Sequence, residues 1–209
     1  MKTPYGYADK QLIALKRYVS AEFHNSANLL NFDELNVASV KELANNLYSR
    51  LKSRNEIVFR AVARQAYSAA TEEANGSEEH DGIEIVAMLL KRYDPITQYV
   101  YKYETRRKQE RLVEALVAAP NRESARIAFD RAARLWFDQS RQYTDLAVDE
   151  ARIQAFKDSG IRQVEWMSEQ NERTCSVCRE LDGKVFRLED VPQFPQHRHC
   201  RCWLVPVRK

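Results

Sequence analysis

The sequence predicts a mainly α protein, long helices followed by a small C-terminal β module, α+β in class. Three observations carry this. Apolar residues recur at helical intervals over long stretches between Tyr7 and Phe156. Only 5 glycines and 6 prolines interrupt the 209 residues. All four cysteines fall in the last fifth of the chain, between short runs that read as strands.

From about Tyr7 to Phe23, Leu12, Leu15, Val19 and Phe23 recur every three to four positions, with Lys10, Lys16 and Arg17 between them, as in an amphipathic helix. His24 reads as a capping or surface residue at its end. Ser39 and Glu42 form an S-x-x-E capping box for a second helix. That helix carries Val40, Leu43, Leu47, Leu51, Val58 and Val62, then the alanines Ala66, Ala69 and Ala70, and ends near Asn75-Gly76.

Gly76 to Gly82 is polar and acidic and reads as a loop; His80 sits there without the glycine-centred spacing of a calcium site. Ile83 to Tyr93 predicts a short helix stopped by Asp94-Pro95. Tyr99, Tyr101 and Tyr103 precede Arg106, Arg107, Lys108 and Arg111. That mixture suits stacking on bases and neutralising phosphates, and equally a mixed helix face in which Glu104 and Glu110 pair with the arginines. Pro120-Asn121 ends this stretch and caps a last long helix. Its apolar stripe is Ala125, Phe129, Ala132, Trp136 and Tyr143, it runs to Phe156, and Gly160 stops it.

The β module is assigned to residues 161–209. Ile161 to Trp166 and Trp203 to Val207 read as strands, and Asp182-Gly183 as a turn feeding a third near Val185-Phe186. Within it, Cys175 and Cys178 form a C-x-x-C pair, and Cys200 and Cys202 a C-x-C pair with His197 and His199 just ahead. A thiolate pair in a tight turn supplies half of a tetrahedral zinc site, and the gap to His197 fits the roughly 15–20 residues between ligand pairs. The expected ligands of Zn2+ are Cys175, Cys178, His197 and Cys200, with Cys202 and His199 as alternates. A site closed by protein ligands is structural, so no catalytic residue is expected. The readings as packed thiols or disulfides compete with this one; the N-terminus lacks the apolar core of a signal peptide, which disfavours disulfides.

The ordered set Trp166, Arg173-Thr174-Cys175-x-x-Cys178, Leu181-Asp182-Gly183-Lys184-Val185-Phe186 and Pro195-x-His197-x-x-Cys200-Arg201-Cys202 resembles the phage head morphogenesis family, the phage Mu F-like minor head proteins. Arg198-His199 stands where the family often has Pro-Asn. The resemblance implies an N-terminal helical region at 1–95 and a head-morphogenesis domain at 96–209. It implies a virion protein of the head interior or portal vertex, present in host cytoplasm during assembly. Its partners would be the portal protein, the major capsid protein or both, with a role in DNA packaging or ejection.

The formal charge of +3 is too small to imply nucleic-acid binding by itself, because a patch matters and not a sum. Arg198, Arg201, Arg208 and Lys209 flank the second ligand pair and are the candidate contacts for DNA without sequence preference. A metal-dependent nuclease on a zinc-knuckle fold is the alternative function; it needs an open metal position and a general base, and no such motif stands out. No apolar run approaches the ~20 residues that span a bilayer.

Overall fold

The computed structural model describes residues 3–32, 35–75 and 105–207. The expected loop around His80, the helix at Ile83 to Tyr93 and the Tyr99–Tyr103 run lie outside the described residues, as do Arg208 and Lys209. Four longer helices are described: α1 Gly6–Asn28, α2 Val37–Asn75, α3 Thr105–Val117 and α4 Arg122–Asp158. They lead into β1 Gln163–Met167, a short α5 Ser176–Leu181, β2 Val185–Arg187 and β3 Trp203–Pro206. The chain is mainly helical with one small antiparallel sheet, ordered β2-β1-β3. None of the described helices is long and apolar enough to cross a membrane.

Cap chemistry explains several of the helix boundaries. Asn121 Oδ1 accepts from the Ser124 amide at 2.9 Å, as expected of the residue that caps α4. The N-terminus of α2 corrects the expected box: the cap is Asn36, not Ser39. Asn36 Oδ1 accepts from the Ser39 amide at 3.0 Å, and Ser39 Oγ takes the Asn36 amide at 3.3 Å, so Ser39 is the reciprocal partner. α1 continues past Phe23 to Asn28, which places His24 on an exposed helical turn and not at an end. α4 ends at Asp158, and Gly160 just beyond it takes the left-handed φ of 70° that closes helices.

The chain divides into two compact units. Unit 2, residues 12–58 and 90–140, is built on the apolar faces of α1, α2 and α4. Phe23 meets both Tyr48 and Phe129 edge-on at 6.3 Å, and Tyr48 meets Trp136 edge-on at 5.3 Å. These rings are buried, and edge-to-face geometry adds about 0.5–1.5 kcal/mol per pair beyond area burial. The stripe read from Phe129 and Trp136 is therefore the core it was expected to be.

Unit 1, residues 1–11, 59–89 and 141–209, carries the sheet. Val164 and Trp166 of β1 are fully buried between its two neighbours, paired to β2 as Val164 with Phe186 and to β3 as Trp166 with Leu204. Three short strands bury little by themselves. In the same unit Ala147, Ala151, Ala155 and Phe156 in the second half of α4 are buried as well. Arg152 fastens this helix to its surroundings: its Nη2 donates to Glu73 Oε2 and to the Leu204 carbonyl, each at 2.8 Å.

Candidate metal centre

Local geometry presents the first cysteine pair. After β1 the chain turns back through Asp182, whose Oδ1 accepts from the Ser168 amide at 2.6 Å and whose other carboxylate oxygen takes the Gln170 side chain. Gly183, at φ 74°, completes the turn into β2, and its amide donates to the Trp166 carbonyl at 2.8 Å. The turn role of Asp182-Gly183 is thus the expected one. The sequence reading missed α5, a short helix inside the C-x-x-C. Cys175 caps it, with Sγ accepting from the Cys178 amide at 3.4 Å, and the i,i+3 spacing brings Cys178 to the same side.

The second half comes from the loop before β3. Trp166 packs edge-on against Phe194 at 4.9 Å, which seats this loop on the sheet. The Cys200 amide donates to the His197 carbonyl at 3.1 Å, a turn that sets the imidazole beside the thiols.

Five donors converge. Cys175, Cys178 and His197 place their ligand atoms within 4.8 Å of one another, and so do Cys178, Cys200 and Cys202. Cys178 belongs to both trios. Its Sγ lies 3.8 Å from His197 Nε2 and 3.7 Å from Cys200 Sγ. A tetrahedral site with metal–sulfur bonds of about 2.3 Å has sulfur–sulfur edges of about 3.8 Å, so these separations fit a shared ion. All four cysteines are free thiols.

The tautomer of His197 fits as well. Its Nδ1 lies 3.0 Å from the Arg198 carbonyl oxygen and donates to it, which leaves the Nε2 lone pair toward Cys178. That bond to the Arg198 carbonyl raises the imidazole pKa. Crowding polarises the thiols: a hydrogen bond from Cys202 lowers Cys200 to about 5, burial pushes Cys178 up to about 12, and donation to Cys200 pushes Cys202 up. Thiols held this close share few negative charges unless a cation stands among them, and a divalent ion is the cation this donor set suits. His199 stays outside both trios and adopts left-handed backbone at φ 58°.

Beside the cluster lies a buried polar network. Arg201, between two of the clustered cysteines, donates from Nη1 to Asp145 Oδ1 and from Nη2 to Asp9 Oδ2, each at 2.8 Å. Its guanidinium lies 4.0 Å from the centre of the Tyr5 ring. The Tyr5 hydroxyl is 2.6 Å from Asp149 Oδ1 and 2.7 Å from the Cys202 carbonyl oxygen. Burial pushes the carboxyl of Asp149 well above the usual range, and that of Asp145 upward despite Arg201 and Arg141 beside it.

Of the candidate nucleic-acid contacts, Arg198 is exposed, whereas Arg201 keeps only 16% of its side chain exposed and is taken up by two carboxylates. The sequence reading did not single out Tyr5, Asp9 or Asp149. One signal was present. Asp145, Asp149, Arg152 and Phe156 follow at intervals of three or four and form a helical face of their own, all of it buried, which an apolar stripe alone does not reveal.

A family model described as Phage Mu protein F like protein matches residues 94–205, more than half of the 209-residue chain. No curated protein and no solved structure matches it.

Proposed function

From the membership of this chain in the Phage Mu F-like family of head morphogenesis proteins, we propose that it is a minor head protein of a tailed phage, acting in capsid assembly at the portal vertex. The family match across the β module is the observation that carries this reading. The role is structural, in the phage head, with the portal protein or the major capsid protein as the partner. Contact with DNA is non-specific and falls to exposed Arg198 and the terminal Arg208 and Lys209.

The cysteine–histidine cluster serves this role as a structural Zn2+ centre. Cys175, Cys178, His197 and Cys200 hold the ion, and Cys202 is the alternate donor. When bound, Zn2+ ties the short α5 turn to the loop before β3 and supplies cohesion that three short strands lack.

Two measurements test the reading. Quantitative mass spectrometry of purified proheads and virions is expected to find the chain in far fewer copies than the major capsid protein, and to recover it with portal protein in pull-downs. Its absence from heads at every stage of assembly would overturn the assignment. Metal analysis of chain purified without chelator tests the centre itself, with one zinc per chain expected.

A further inference from the structure

We propose that the metal centre is a clamp on the start of α1: with the ion bound, Arg201 holds residues 5–11 down, and without it they are released. The inference rests on the reading of the cluster as a metal site. It follows from what three consecutive residues do.

Cys200 and Cys202 turn their thiols to the cluster, where both lie within 4.8 Å of Cys178 Sγ. Arg201, between them, reaches the other way to Asp9 and Asp145, over the Tyr5 ring. The Cys202 carbonyl oxygen lies 2.7 Å from the Tyr5 hydroxyl. An ion that grips Cys200 therefore fixes the backbone on which Arg201 stands. Once that backbone is free, two charge-assisted hydrogen bonds and a cation–π contact lose their common anchor.

The other end of the clamp is weak by itself. Among the described residues, the first helical hydrogen bond of α1 runs from the Asp9 amide to the Tyr5 carbonyl at 2.8 Å, and the amides of a helix's first turn lie outside its own ladder. A helix start frays unless its side chains are docked, and here Tyr5 and Ala8 are the buried ones while Asp9 meets Arg201. By linkage, docking of this segment also tightens metal binding.

Hydrogen exchange read by mass spectrometry tests the clamp on the full chain in zinc-loaded and chelator-stripped forms, with zinc per chain measured on each sample. Stripping is expected to speed exchange at the amides of residues 9–12 by about tenfold or more, while those of Ala151 and Ala155 in α4 change little. Arg201→Gln should keep one zinc per chain yet show the same acceleration when loaded, with little further change when stripped. Asp9→Asn, at a half-exposed position, makes the same comparison should the arginine variant fail to fold. One zinc per chain with unchanged protection at residues 9–12 after stripping would overturn the clamp and leave the metal centre standing. Absence of zinc from the loaded protein would overturn both.

Discussion

The Tyr5 hydroxyl lies 2.6 Å from Asp149 Oδ1, across 144 positions of sequence, and 2.7 Å from the Cys202 carbonyl oxygen. A hydroxyl has one hydrogen, and a carbonyl oxygen has none. The one hydroxyl hydrogen thus faces two acceptors, and burial raises the Asp149 carboxyl well above its usual range. The Tyr5 hydroxyl thus joins the start of α1 both to α4 and to the chain just before β3.

The pH dependence of stability follows from this raised carboxyl. With its pKa raised on folding, Asp149 keeps its proton to higher pH in the folded chain than in the unfolded one, whose ordinary aspartate pKa is about 3.9. Stability from this site is therefore fullest below about pH 4 and declines as pH rises toward the elevated folded value. Asp149→Asn mimics the protonated form and removes the decline. In urea melts above pH 4 the variant should gain on wild type by up to ~1.4 kcal/mol per pH unit. A gap that stays constant with pH would show that Asp149 is ionised.

Tyr5→Phe removes the hydroxyl and leaves the Cys202 carbonyl and Asp149 without it, both in buried surroundings. The expected loss is about 1–3 kcal/mol by chemical denaturation, with little change in zinc content.

Arg201→Met strips Asp145, whose side chain is 5% exposed, of its nearest cation. The expected cost is about 3 kcal/mol, since the buried carboxylate is left with Arg141 at 3.9 Å in place of a direct hydrogen-bonded partner. Adding Asp145→Asn should return much of it, so the double variant should be more stable than the sum of the single effects. Arg201→Lys should fall between, because one ammonium does not reproduce a fork that reaches two carboxylates. Simple additivity in the cycle would contradict the pairing.

Cys178 is shared by both donor trios, whereas Cys175, His197 and Cys202 each belong to one. Cys178→Ser should abolish stoichiometric zinc, and Cys202→Ser should retain it. Metal analysis with thermal melting separates the two; equal loss in both would make Cys202 a ligand.

The cap of α2 provides a local control. Asn36→Ala should destabilise by ~1 kcal/mol through loss of the bond to the Ser39 amide, and Glu42→Ala should have little effect. The reverse order would restore the Ser39 box.

The features legible in the sequence are those set by near neighbours. Asn121 as a cap, Gly160 as a helix stop, Asp182-Gly183 as a turn and the Phe129–Trp136 stripe all depend on residues within about one helical turn. The α2 cap was misplaced by three positions because Asn36-x-x-Ser39 and Ser39-x-x-Glu42 overlap, and both offer side chains able to cap. α5 was missed because six residues are too few to show a period.

By itself the sequence determined the helical body, the position of the small sheet, the family, and which cysteines and histidines could meet, since spacing in a short loop limits which donors can converge. Only the tertiary structure decided what surrounds them. Arg201 reads as an exposed cation beside two cysteines, and it is mostly covered because Asp9 and Asp145, 192 and 56 positions away, pair with it. Asp149 reads as an ordinary helix carboxylate, and its carboxyl is raised well above the usual range because burial beside Tyr5 and within α4 removes it from water. Desolvation is set by the whole environment of a group, so the charge states next to the cluster appear only once distant segments are packed together.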